Sequence, residues 1–427
     1  MYARSALLCI AMLISPFRSP ANAAPNPVTD WATIVQPSIH NAAAPRSAGT
    51  SEILHTMVVL AMYDAVIAIE GGYTPYAAAI PPAPGADARA AVATAAYLTA
   101  RARVAASQLG YLDQQYAVYM ANVPEGAAKS DGVRVGQAAA AAILARRTGD
   151  GFTNVVPYAC SATLPAAGEF QPDSGCPAAP TSPQPVDVKL GQIAPFAIGD
   201  VQRYRPDGPD PMTSNSYTED FMETRDYGRA DSTERSPEQT DIAYFWSENP
   251  YVHWNRNIVA LALQHQLGLR DTARLFAMIH TSVADAVIVG FEAKYHYRAW
   301  RPRTAIPLAD LDGNPDTDAD PAWRPLLSVN HPEYPSGHGF WSTAVVDAAA
   351  AFFSTQKVTW TVTTSRTAVP QLVRTERTYT QLNAIMREIG DARVWAGLHW
   401  RHAIQHGAQV GRHVAAQVVR NYFRPVE

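Results

Sequence analysis

Cysteine is scarce in this chain, three among 427 residues, and Cys9 lies so near the N-terminus that only Cys160 and Cys176 remain for the body of the protein. Charge of one sign is also lacking. The formal balance of −4 offers no broad basic surface for a nucleic acid, so any anion site must be a local cluster of cations. The Val/Thr/Tyr alternation of half-buried strands is missing. So too, beyond the first residues, is an uncharged apolar run long enough to span a bilayer. What is present is alanine, in recurring Ala/Leu/Val runs. A hydrophobic content of 47% suffices for one large core or two moderate ones. The expectation is an all-α protein.

The N-terminus reads as an export signal. Arg4 supplies a positive start, Ala6 to Ile14 an apolar stretch, and Ala21-Asn22-Ala23 a small-residue cleavage site, with Arg18 a small irregularity. The apolar stretch is too short for a spanning helix; the alternative is a retained amphipathic segment. Residues 1–23 are assigned to a signal peptide, and the mature protein to the periplasm or the extracellular space. In such an oxidising compartment Cys160 and Cys176, which flank a Pro/Gly/Ala-rich loop, are expected to bridge. Closing that loop contributes roughly 3 kcal/mol on a chain-entropy account and serves as a staple without catalytic role.

Composition divides the rest into three regions. Residues 24–148 are Ala-rich with helical spacing. Residues 149–237 are irregular, dense in Pro, Gly, Ser, Asp and Thr, and carry the cysteine pair; so long a loop either covers a site or forms an insertion. Helical patterning returns over 238–427. An internal echo links the two helical regions: Met57 to Ile69 aligns without gaps on Met278 to Gly290, sharing Met and then Asp-Ala-Val-Ile. Either two related bundles pack together, or two Ala/Val-rich helices coincide.

Three short segments carry chemistry. The first, Lys294 to Pro302, ends a long apolar helix read over roughly Ile258 to Ala293. Lys294 and Arg301 are two helical turns apart and share a face while the helix lasts, which suits a multiply charged anion between them. Pro302 bars the helix from continuing. The bland reading is a solvated basic face, since Arg298 and Arg303 lie nearby. The second, Pro335-Ser336-Gly337-His338, precedes a strong helix over Gly339 to Phe353. Its free N–H groups at the positive helix end suit an oxyanion, Ser336 can cap the helix or donate to a ligand, Gly337 permits close approach, and His338 can pass protons. An ordinary N-cap with a surface histidine is the alternative. In the third, Arg393 offers a planar fork for two oxygens and His399 a nitrogen able to attack phosphorus or coordinate a metal oxyanion, with Gly397 a break between them. His402 and His406 follow at helical spacing, but no HExxH arrangement accompanies them, which disfavours zinc.

In this order the three segments resemble the signature of the superfamily that joins type 2 phosphatidic acid phosphatases, bacterial acid phosphatases and vanadium-dependent haloperoxidases. The first two elements match completely; in the third, Ala392 stands in place of Ser and Ala403 in place of Asp. Softer similarity to haloperoxidase-like chains extends to the helix before Lys294, to Asp310–Trp323 and to His55–Ile69. The resemblance implies two packed helical bundles with a long irregular insertion. It implies that Lys294, Arg301, Ser336, Gly337 and Arg393 cradle vanadate or phosphate, that His338 is the acid–base residue, and that His399 is the vanadium ligand or phosphate nucleophile. A haloperoxidase using hydrogen peroxide and halide is the leading expectation. A secreted acid phosphatase acting on phosphomonoesters is the second, and a non-catalytic helical binding protein the third. Ala403 weighs against phosphohistidine chemistry unless a carboxylate arrives from elsewhere. Asp310 to Asp320 has the acidic density of a calcium loop but lacks the bidentate Glu of that pattern, so a solvated turn is expected.

Overall fold

The computed structural model describes residues 26–41, 45–159, 165–173, 175, 184–366, 369 and 372–426. The export signal, Cys160 and Cys176 fall outside the described residues.

Helices dominate the described residues. The first set comprises α1 (Pro27–Ile39), α2 (Ala48–Glu70), α3 (Ala88–Arg101), α4 (Leu109–Ala121) and α5 (Ala127–Arg146). The second comprises α6 (Asn215–Gly228), α7 (Pro237–Phe245), α8 (Pro250–Gln264), α9 (Leu269–Tyr297), the short α10 (Pro302–Ala305), α11 (Gly337–Phe353), α12 (Leu382–Trp395) and α13 (Arg401–Asn421). Between α11 and α12, β1 (Trp360–Thr363) pairs antiparallel with β2 (Glu376–Tyr379), Trp360 opposite Tyr379. Local signals set the ends. Ser47 accepts the Thr50 N–H at the start of α2, Ser236 and Gln239 form a capping box on α7, and Gly71 closes α2 with φ 63°.

The long helix expected over Ile258 to Ala293 is broken: Gln266 turns left-handed (φ 50°) and Gly268 starts α9, so α8 and α9 are separate. A helix, α6, also stands inside the stretch read as irregular. Its sequence is polar enough to hide the pattern, because only Tyr217, Phe221, Thr224 and Gly228 are buried.

α2 and α9 are buried along nearly their whole length, from Gly49 to Ala68 and, with few gaps, from Thr272 to Lys294. By length and composition alone both are apolar enough to cross a membrane; here their surfaces are taken up by the core. That core is continuous from Val28 in α1 to Phe423 after α13. The internal echo has a structural counterpart. Asp64 in α2 accepts the N–H groups of Tyr76 (2.6 Å) and Ala77 (2.8 Å), while Asp285 in α9 accepts those of Phe196 (2.6 Å), Ala197 (2.7 Å) and Ile198 (2.9 Å). Each buried carboxylate thus anchors a non-helical segment to a central helix, and burial pushes both up to about 6.

The acidic segment departs from a solvated turn. Asp312 and Asn314 are buried; Asp312 accepts from Asn314 N (2.7 Å) and Thr317 Oγ1 (2.9 Å), and the Asn314 amide donates to Met212 O and Thr218 Oγ1. The segment is a polar staple onto α6.

Candidate active site

Several segments of chain converge on one cavity of about 370 Å3, walled by Gly337 and His338 at the head of α11, Arg393 in the last turn of α12, Leu398 and His399 beyond it, and Asp187, Phe291, His331, Phe340 and Trp341. Glycine makes the convergence possible. Gly397 adopts φ 69°, and a Cβ there would sit 2.4 Å from Gly228 O, so the turn between Arg393 and His399 is open only to glycine. Gly407 and Gly411 let α13 touch α11: a Cβ on Gly407 would lie 2.6 Å from Ser336 O, and one on Gly411 2.4 Å from Phe340 O.

Lys294 and Arg301 do not share a helical face. Arg298 ends α9 in the left-handed region (φ 52°), and Arg301 is the residue before Pro302 at the start of α10. They meet instead on the loop ahead of α11. Lys294 Nζ donates to the carbonyls of Pro332 (2.9 Å), Glu333 (3.0 Å) and Pro335 (2.5 Å). Arg301 donates to His331 O (2.5 Å), Pro332 O (3.2 Å), Leu398 O (2.7 Å) and His331 Nδ1 (3.0 Å). Both are essentially unexposed and stand behind the cavity wall, as does Ser336, which caps α11 through Gly339 N (3.4 Å). Gly337, His338, Arg393 and His399 reach the wall itself.

Arg393 donates to Trp246 O (3.1 Å), and its Nε is a buried donor without a partner among the described residues. His338 reaches the cavity wall at the head of α11, near the Trp246 carbonyl, where an imidazole can exchange a proton. His399 pairs through Nδ1 with Glu333 Oε1 at 2.7 Å, and Glu333 Oε1 also accepts the Trp400 N–H at 3.1 Å. The sequence reading missed both Glu333 and His331. They sit in the same His-Pro-Glu-Tyr-Pro-Ser-Gly-His run as the second motif, whose chemistry was read only from Pro335 onward. His402 pairs with Asp220 (2.7 Å) and His406 with Tyr334 (2.6 Å), away from the cavity.

The electrostatics are those of an anion receptor. Burial, then mutual repulsion, holds the Lys294 ammonium well below its usual range; burial pushes Arg301 down to about 10 and Arg393 to about 9. Burial and the same cations keep His338, His399 and His331 well below the usual histidine range, hence uncharged near neutral pH. Glu333, pushed by burial up to about 7, is the carboxylate whose charge bears on Lys294 and Arg301. Glu333 is the carboxylate that faces Lys294 and Arg301, with Asp187 and Glu248 elsewhere in the wall, and the three clustered cations suit a multiply charged oxyanion. The donor set therefore fits vanadate or phosphate: charge from Lys294, Arg301 and Arg393, an unpartnered N–H on Arg393, the N-terminus of α11, and a neutral imidazole whose Nδ1 is already engaged.

Fold and site together describe a helical protein with buried cations gathered at one cavity, and known proteins bear on its class. The family model described as the VCPO second helical-bundle domain matches residues 274–427. Vanadium chloroperoxidase of Curvularia inaequalis is 28% identical over 156 residues, 30% of this chain and 25% of the relative, so the match spans about a quarter of that protein's length. Among solved structures, the first bacterial vanadium-dependent iodoperoxidase superposes with a TM-score of 0.75 at 23% identity, covering 96% of this chain and 99% of the other. A holo-type bacterial vanadium-dependent chloroperoxidase gives 0.72 at 17%, covering 94% and 98%. Residues 274–427 are thus similar to the second helical-bundle domain of vanadium chloroperoxidase, and the described chain shares the fold of bacterial vanadium-dependent haloperoxidases.

Proposed function

We propose that this chain is a vanadium-dependent haloperoxidase-type enzyme, exported to the periplasm or the extracellular space. The observation that carries the reading is the set of buried cations, Lys294, Arg301 and Arg393, gathered with the uncharged His338 and His399 around one cavity. His399, with Nδ1 held by Glu333, offers its other nitrogen as the ligand to vanadium. Arg393 and the Gly337 N–H supply donors at the wall, Ser336 orders the turn that presents them, and Lys294 and Arg301 supply charge from behind it. When bound, vanadate supplies Lewis-acid activation of hydrogen peroxide for two-electron oxidation of halide. His338, in the cavity wall, takes up or returns the peroxide proton at a ring nitrogen. The apolar wall of Phe291, Leu327, Val329, Phe340, Trp341 and Leu398 limits water at the site.

Phosphomonoester hydrolysis at the same histidine is the second reading, and Glu333 favours it, because the carboxylate missing at Ala403 is supplied from another segment. One experiment separates the two. Protein loaded with orthovanadate is assayed for iodination and bromination of a phenolic dye with hydrogen peroxide, and vanadate-free protein for p-nitrophenyl phosphate hydrolysis. Halogenation abolished by His399→Ala is the expected result. Hydrolysis without halogenation replaces the first reading by the second, and neither activity leaves a binding protein.

A further inference from the structure

We propose that Glu333 is the positioning carboxylate of His399. It has moved from the helix that follows the histidine to the loop that carries Ser336, Gly337 and His338. The superfamily pattern places an Asp four residues after the last histidine, one turn into α13, where this chain has Ala403. Ala403 is fully buried against Ala299 and Tyr334, and its carbonyl accepts the Ser336 N–H at 2.9 Å. Ala403 thus packs against the very loop that bears Glu333.

Glu333 is built to hold its carboxylate still. Its N–H donates to Ala299 O at 2.9 Å, its carbonyl takes the Lys294 ammonium at 3.0 Å, and the side chain is unexposed. Oε1 is fixed from two sides, by His399 Nδ1 at 2.7 Å and Trp400 N at 3.1 Å. A carboxylate only accepts, so this contact puts the ring proton on Nδ1 and leaves the lone pair of the second nitrogen for the guest of the cavity. One segment, Glu333 to His338, then orients the ligand histidine and presents the acid–base histidine, so the two cannot shift independently.

The inference rests on the reading of His399 as the residue that takes the oxyanion, and the test separates the two. Wild type, Glu333→Ala, Glu333→Gln and the double variant Glu333→Ala/Ala403→Asp are prepared without vanadate. The His399 tautomer is read from long-range 1H–15N spectra of histidine-labelled protein. Affinities for inorganic phosphate and orthovanadate are measured by calorimetry, and melting curves establish that each variant folds. Wild type should show the proton on Nδ1, and Glu333→Ala should move population to the Nε2-protonated form. Its affinity for both anions should fall about 10- to 100-fold, the usual effect of losing a partner behind a ligand histidine. Ala403→Asp in that background should recover most of both. Glu333→Gln, which keeps the volume, should fold like wild type and still bind more weakly. An unchanged tautomer and affinity in folded Glu333→Ala or Glu333→Gln overturns the role, and failure of Ala403→Asp to restore them overturns the relocation. Absence of anion binding by wild type instead defeats the functional reading, while the spectra still decide whether Glu333 sets the ring.

Discussion

Arg393 is the site cation whose guanidinium reaches the cavity wall while keeping a buried N–H unpartnered. Hydrogen bonds to a charged group are worth about 1.5–3 kcal/mol, so Arg393→Ala should weaken phosphate binding about 10- to 100-fold by calorimetry while the melting curve keeps its shape. Arg393→Lys should recover only part, because a point charge cannot present a planar fork. The pH dependence follows from the same group. With Arg393 held down to about 9 and Lys294 also depressed, the receptor loses charge as the pH rises. The cations attract the anion only while protonated, so phosphate affinity should decline through pH 9 to 10 with proton uptake on binding. Affinity holding steady to pH 11 would contradict it. At this scale the sequence displayed Lys294, Arg301, Ser336, Gly337, His338, Arg393 and His399, because short motifs fix residue type and spacing. Glu333 and His331 were hidden, since their partners, His399 and Arg301, are 66 and 30 residues away along the chain.

Helices α11 and α13 place the second and third motifs against each other through backbone contact at Gly407 and Gly411. A methyl at Gly407 has to displace the Ser336 carbonyl, the residue capping α11. Gly407→Ala should therefore cost about 1–3 kcal/mol by overpacking and also lower phosphate affinity, although residue 407 is no part of the cavity wall. Denaturant titration and calorimetry on the same sample check both effects. Asp285 makes a second case. Removing its carboxylate orphans the N–H groups of Phe196, Ala197 and Ile198, at about 1–3 kcal/mol for each one left buried without a partner. Asp285→Ala should thus rank among the most destabilising single changes in the chain. Since burial pushes Asp285 up to about 6, the proton-linked part of its contribution is full below about pH 4 and is lost as the pH rises through 6. The wild-type advantage over Asp285→Asn should accordingly shrink between those limits. Of the elements themselves, the Ala-rich helices and the echo between α2 and α9 were legible in apolar periodicity. The break at Gln266, the polar α6 and the β1–β2 pair were not, because each depends on tertiary contacts, such as Trp360 NHε1 donating to Asn257 O at 3.1 Å.

For the whole molecule, the receptor is assembled from α9, α10, the loop ahead of α11, α12 and the turn before α13, over a core shared with the first helices. An anion that binds this arrangement and not the unfolded chain stabilises it by about 2.7 kcal/mol at a hundredfold excess over its dissociation constant. Phosphate or vanadate should therefore raise the melting temperature by several degrees in wild type and by clearly less in Arg393→Ala, a difference read directly by calorimetric scanning. Composition left one large core or two moderate ones open, and the main core runs from Val28 to Phe423, a choice the sequence could not make because it shows which faces are apolar but not which faces meet. The contacts of Lys294 and Arg301 carry one more consequence. Their N–H groups already grip the main chain of residues 331–335 and Leu398, so the loop is a rigid mould and not a flap that closes on arrival. Little disorder is left to freeze out when the guest enters, and selectivity then comes from size and shape.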